Sequence, residues 1–321
     1  MHIPFYTARR DFVLKKPFYL FLFILIAAIA IPAVGLFLSE EEEAVQEKDE
    51  PSVDVVRSDT RQTETVPLEE YVAGVVAAEM PASFEKEALK AQAVAARTFI
   101  LTQTLAGLEV TDTVDDQVFK DEAELKEIWG ADYAQNKKKI EEAAKETEGE
   151  VLTYNGAPIT AAFFSSGNGK TENAEDYWQS PLPYLISVDS PWDEEAPNFE
   201  QEMVMPRTQV EEKLGVSLTA AGEAGTVTAR TAGGRVAKIK LGEKTFTGRE
   251  IREALGLPSA DFHIQSSGDK VIITTKGYGH GVGMSQYGAN GMAKEGNNYL
   301  EITAHYYPGA AIESAEAFLK K

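Results

Sequence analysis

Residues 71–99 read YVAGVVAAEMPASFEKEALKAQAVAARTF, and their pattern sets the fold class. Tyr71, Val72, Val75, Val76 and Met80 recur at i, i+1, i+4, i+5 and i+9, which marks one apolar face of a helix ending at Met80-Pro81. Glu79 lies on that same face, four residues after Val75. A carboxyl there must reach a partner, open onto a cleft, or be desolvated with a raised pKa. Two readings follow: a salt-bridged or solvated helix end, or a general acid.

A second helix follows. Ser83 is the expected N-cap, with Glu85 and Glu87 suiting the first-turn dipole. Ala88, Ala91, Ala93, Ala95 and Ala96 let neighbours approach closely, so this helix is expected to be central. Arg97 towards its far end reads either as a dipole partner or as a site cation.

Upstream, Arg9, Arg10, Lys15 and Lys16 precede an uncharged run from Phe18 to Leu38, followed by Glu40–Glu43. As a helix this run would span about 32 Å, enough for a bilayer core. Basic before and acidic after predicts a single-pass anchor, with residues 1–17 cytoplasmic, 18–38 membrane-spanning and the remainder extracytoplasmic. A cleaved signal peptide is the competing reading. Residues 39–63 read as an acidic linker, 64–312 as one domain with no visible internal boundary, and 313–321 as a tail.

Within 64–312 helical and strand patterns mix, which predicts an α+β domain of helices packed on hairpins with a long cleft. Asp112–Lys120 reads as a polar loop, and Asp121–Lys145 as two charged helices split at Gly130. Glu150–Tyr154 and Pro158–Phe164 flank Asn155-Gly156, a strong hairpin signal. The second strand leads into a Gly, Ser and Asn loop carrying Lys170, either the lining of a sugar-binding groove or an ordinary connection. Thr226–Ala229 with Val236–Leu241 forms another hairpin, Gly248–Leu255 a helix, and Lys270–Thr275 a strand.

Composition narrows the function classes. The net charge of −20 argues against nucleic acid, and the absence of cysteine excludes thiol catalysis and Cys-ligated zinc. Four histidines, in no H-E-x-x-H arrangement, point to no metal site, and no cofactor is expected. Gly277–Gly291 holds glycine at 277, 279, 281, 283, 288 and 291, with His280, Ser285, Gln286 and Tyr287 among them. It matches neither G-x-G-x-x-G nor a phosphate-binding loop, and Ser285 is not on a G-x-S-x-G elbow. It reads as a tight bend or, preferably, as a polar binding wall. Ser83-Phe84-Glu85-Lys86 fits S-x-x-K, but no S-D-N or K-T-G accompanies it.

AAEMPASFEKEALKAQAVAARTF, FFSSGNGKTENAEDYW, PYLISVDSPWD, TGREIREALGLPS and GYGHGVGMSQYGANGMA, in this order, resemble the stage II sporulation protein D family across residues 64–312. The resemblance implies a peptidoglycan lytic transglycosylase. Such an enzyme cleaves the β-1,4 bond between N-acetylmuramic acid and N-acetylglucosamine to a 1,6-anhydro end during engulfment, from the mother-cell membrane. It places the catalytic glutamate at Glu79 and substrate-binding roles at Arg97, His280, Ser285, Gln286 and Tyr287, to which the loop reading adds Lys170. It implies as partners glycan strands stripped of stem peptides, the amidase stage II sporulation protein P, and stage II sporulation protein M. Some members carry a Cys/His zinc site; here Phe163–Gly167 has no His and the chain no Cys, so zinc is not implied. The alternative expectation is a glycan-binding activator of a cell-wall amidase, since a related domain occurs in amidase enhancers.

Overall fold

Val53 and Val55 alternate with polar neighbours, so SVDVV buries one face and forms strand β1 (Ser52–Val56). The structure, a computed structural model, describes residues 51–319; the expected cytoplasmic segment and membrane span lie outside them. Among the described residues no helix is long and apolar enough to cross a membrane. β1 pairs antiparallel with β2 (Thr63–Pro67) and parallel with the short β3 (Val110–Thr111). The folded domain therefore begins inside the stretch expected to be linker, because the valine alternation there supplies a strand.

Helix α1 (Leu68–Glu79) follows β2 directly, with Tyr71, Val72, Val75 and Val76 fully buried. Helix α2 (Lys86–Leu105) buries all five alanines named above. Its N-cap differs from expectation. The cap residue is Glu85, which makes no side-chain cap bond, while Ser83 stays exposed. The side chain of Asn290 accepts the Glu85 N–H instead, at 2.8 Å, so a distant helix supplies the cap. Helices α3 (Glu122–Trp129) and α4 (Tyr133–Lys145) are split at Gly130 as expected.

β4 (Glu150–Tyr154) turns through Asn155 and Gly156, both at positive φ, into β5 (Ala157–Pro158). The expected second strand is thus cut short at Pro158, with one further backbone bond of the same register, from Ile159 N–H to the Leu152 carbonyl at 3.1 Å. Phe163–Phe164 (β6) instead pairs elsewhere, and a short helix α5 (Ala174–Trp178) follows.

Residues 200–276 build a second hydrophobic core, which the sequence does not mark off from the rest. In chain order it comprises β7 (Glu200–Pro206), α6 (Arg207–Leu214), β8 (Ala221–Glu223), β9 (Thr226–Arg230), β10 (Val236–Leu241), β11 (Lys244–Phe246), α7 (Gly248–Leu255), β12 (Phe262–Ser267) and β13 (Lys270–Lys276). Two sheets result, β7-β13-β12-β8 and β11-β10-β9. Glu172, from the main core, reaches into this unit. It accepts from Gly233 N at 3.0 Å and Thr231 Oγ1 at 2.5 Å, 3.8 Å from the buried Arg235.

The chain returns as β14 (Met284–Ser285), parallel to β6, and continues into α8 (Gln286–Lys294), α9 (Tyr299–Tyr306), β15 (Ala311–Ser314) beside β4, and α10 (Glu316–Leu319). The region expected to be a tail is thus partly a sheet strand. α1, α4, α8, α9 and β4 all pack on α2, which is the central helix. Glycine explains how β14 comes so close to its partner. A Cβ at Gly283 (φ 81°) would sit 2.0 Å from the Ala162 carbonyl oxygen.

Gly283→Ala is expected to cost at least about 2 kcal/mol in urea unfolding, from clash plus backbone strain. Gly296→Ala, at φ 95° with open space around it, carries the strain alone and should cost less.

Candidate active site around Glu79

Glu79 is the last residue of α1 and is half-buried. Its Oε1 accepts the Val118 N–H at 2.9 Å. The chain reaches that point because α1 carries Gly74 where any Cβ would strike the Phe119 ring at 2.4 Å and the Lys120 carbonyl at 2.8 Å. Phe119 lies in that space and stacks on Tyr71, ring centroids 5.3 Å apart. The neighbouring Gln117 is also buried and accepts from the Tyr71 hydroxyl at 3.4 Å. The segment expected to be a polar loop is therefore an inward-tied strap that presents one backbone donor to Glu79. Sequence reasoning missed Val118, Phe119 and Gln117; the available signal was Val118-Phe119 inside a polar run, together with a glycine in mid-helix.

From the other side comes Gln286, the first residue of α8, only 5% exposed. Its side-chain amide faces the Glu79 carboxyl and favours the charged form. The contact is loose, because Nε2 completes no well-formed hydrogen bond within the protein. Burial is the largest influence on Glu79 and raises its pKa above the ordinary carboxylate value; the Val118 and Gln286 donors oppose it without cancelling it. The groups acting on this carboxyl are thus two neutral amides, and no second carboxylate is among them.

The other expected site residues are placed differently. Tyr287 follows Gln286 and packs its ring edge-on to Phe84 at 5.0 Å, beside the turn that Glu79 opens. Ser285 is completely buried, caps α8 by accepting the Gly288 N–H, and donates to the Asp193 carboxylate. A glycan cannot touch it. The half-buried His280 packs its ring against Phe164, Tyr177 and Trp178, with centroids 5.5 to 5.8 Å away. Its Nδ1 accepts the Val282 N–H, and burial beside Arg252 and Arg235 pushes its pKa down to about 4, so it stays neutral. Lys170 is exposed and paired with Asp189 at 3.3 Å.

Arg97 corrects the expectation of a substrate-binding cation most clearly. It is 0% exposed, at mid-helix in α2. It forks onto Glu69 of α1 at 2.8 and 2.6 Å and donates to the carbonyls of Glu150 and Ala144. Those contacts lock α1, α2, α4 and β4 together, leaving no route for a ligand. The alternating glycines likewise approach the chain's own backbone and side chains. A Cβ at Gly281 would meet the Arg235 guanidinium at 2.4 Å. Among the described residues no cluster of His, Asp and Glu could hold a metal ion.

Comparison with known proteins adds the following. A family model described as stage II sporulation protein (SpoIID) matches residues 56–154. The chain is 50% identical over 278 residues to stage II sporulation protein D of Bacillus subtilis (strain 168), covering 84% of this chain and 81% of that one. It is 51% identical to the protein of the same name from Bacillus amyloliquefaciens, with the same coverage. It is 32% identical to an amidase enhancer of Bacillus subtilis (strain 168), over 75% of this chain and 40% of that longer protein.

Two outcomes check the site. A carboxyl whose pKa is raised by folding contributes its stability fully below the ordinary carboxylate pKa, and loses it as pH rises through the raised value. Glu79→Gln is therefore expected to raise the melting temperature at pH 8 relative to the parent, with the gain shrinking towards pH 4. Arg97→Met should lower unfolding free energy by about 3 kcal/mol, since it strips a buried cation from Glu69. Denaturant titration would show that loss irrespective of any glycan present.

Proposed function

The chain belongs to the stage II sporulation protein D family, and from that premise we propose that it is a lytic transglycosylase of peptidoglycan with Glu79 as its one acid and base. The observation that carries the reading is the Glu79 carboxyl, half-withdrawn from water and faced by amides only. Hydrolysis of a glycosidic bond ordinarily uses two carboxyl groups. An intramolecular displacement needs one.

The steps balance on a single group. Protonated Glu79 donates to the oxygen linking C1 of N-acetylmuramic acid to C4 of N-acetylglucosamine, and the C1–O bond breaks. The C6 hydroxyl of the same muramic residue attacks C1, and the Glu79 carboxylate takes the hydroxyl proton. The products are a 1,6-anhydromuramic end and a free 4-hydroxyl, with no water consumed and Glu79 again protonated. Proximity of C6 oxygen to C1 supplies what a bound water would otherwise provide. Val118 N–H steadies the carboxylate between the two transfers, and the spare Gln286 N–H is available to a sugar oxygen in the cleft.

The proposal extends to setting. Residues 18–38 anchor the chain in the mother-cell membrane, with the N-terminus cytoplasmic and the domain outside, where it works during engulfment. It acts on strands already denuded by an amidase such as stage II sporulation protein P, assembled with stage II sporulation protein M. The likeness to an amidase enhancer favours a second reading, in which the domain binds glycan and stimulates the amidase without cutting.

Mass spectrometry of digests of stem-peptide-free glycan separates the two. The expected result is 1,6-anhydro ends released by the protein alone, reduced at least about a thousandfold in Glu79→Gln while strand binding persists. Intact glycan with the parent protein, alongside faster amidase turnover, would favour the activator.

A further inference from the structure

A cavity of about 570 Å³ opens against the turn that follows Glu79. One wall is Pro81, Ala82 and Ser83; the other is Trp129 and one face of α4. Pro81 is two residues from Glu79, so their Cα atoms are at most about 7 Å apart. Its volume is that of a small-ligand pocket.

The α4 wall is patterned. Asp132, Gln135, Asn136 and Lys139 fall at i, i+3, i+4 and i+7, one polar stripe about 10 Å long beside the buried stripe of Ile140, Ala143 and Ala144. Lys137 and Lys138 of the same helix pair with glutamates, whereas Lys139 has no carboxylate partner among the described residues. It donates to the Phe84 carbonyl at the base of the turn. At the stripe's start the Trp129 indole, tilted against Tyr133, contributes an apolar face. An aromatic face flanked by planar amides, a hydroxyl and single charges of each sign matches a pyranose, whose C–H face stacks while its hydroxyl and acetamido groups take hydrogen bonds.

We propose that this cavity is a subsite for N-acetylated sugar units of the glycan strand lying outside the bond at Glu79. It makes the enzyme read strand length, holding a long strand across the turn while a short one occupies the cleft alone. The inference rests on the glycan-cleaving reading but concerns residues that take no part in the chemistry.

The test uses the full chain in detergent carrying Glu79→Gln, with the trimer and hexamer of N-acetylglucosamine as probes in titration calorimetry. The hexamer is expected to bind about tenfold more tightly than the trimer. Adding Trp129→Ala should bring the hexamer to the trimer's level and leave the trimer unchanged. Because Trp129 also packs on Tyr133, Gln135→Ala, at an exposed position, and Asn136→Ala provide variants that leave the turn after Glu79 untouched, each expected to weaken only the hexamer, by about threefold. Hexamer binding unaffected by all three, or trimer and hexamer weakened equally, overturns the subsite. Failure of the parent protein to release anhydro ends while hexamer binding still depends on Trp129 would sink the lytic reading and leave the subsite standing. Normal release with unresponsive variants would do the reverse.

Discussion

A helix-end carboxyl can be held half out of water only if the chain brings backbone and amide donors to it from elsewhere, and here both donors depend on close backbone approach. Val118 reaches Glu79 because α1 has no side chain at Gly74, which lets Phe119 sink against Tyr71. Gln286 reaches it because β14 lies against the Ala162–Phe164 backbone at a distance that only Gly283 permits. The site is therefore a product of two missing Cβ atoms, one on each side of the acid. The glycines act on the position of the donors, through the room they leave for neighbouring chain.

Rigidity behind the acid comes from the Arg97–Glu69 fork. A fully buried guanidinium costs several kcal/mol to desolvate, and only good geometry with all-round hydrogen bonding offsets this. Arg97 meets that condition by combining a bidentate carboxylate with two carbonyls from separate elements. Such an arrangement tolerates little displacement of α1 against α2. Asn290 ties α8 to the same pair by capping α2, so both sides of the acid are referred to one frame.

Much of this was legible in the residues, and the limits have physical causes. Glu79 stood out because a carboxyl on an apolar helix face is costly unless used. The helix pair, the break at Gly130 and the helix Gly248–Leu255 followed from periodicity and breakers, which are local. Arg97 was misread because a cation on an alanine-rich helix looks the same whether it meets a glycan or a glutamate 28 residues earlier. The family resemblance and the polar glycine-rich segment around them point Ser285 and His280 to the site, whereas their partners, Asp193 and the ring cluster with Tyr177, lie about a hundred residues away in sequence. The second core of residues 200–276 was invisible for a related reason. Its strands alternate like any others, and only pairing decides which core they join.

The balance of influences on Glu79 bears on how one group would serve as acid and then base in the proposed reaction. Burial alone would make the carboxyl a reluctant proton donor, because the carboxylate left behind would be stranded in a poor dielectric. A fully hydrogen-bonded carboxylate would have the opposite fault, being ionised before substrate arrives. Here burial dominates, but one firm donor from Val118 and one loose donor from Gln286 favour the ion. The firm bond is in place without substrate, so in the proposed reaction the carboxylate would be stabilised with no rearrangement of that donor. The loose one would let Gln286, in the proposed reaction, turn towards a sugar oxygen while Glu79 is neutral and back towards the carboxylate once it is charged. A second carboxylate in this place would raise the pKa further and oppose that return, so an amide neighbour suits a one-carboxyl mechanism better than an acid would.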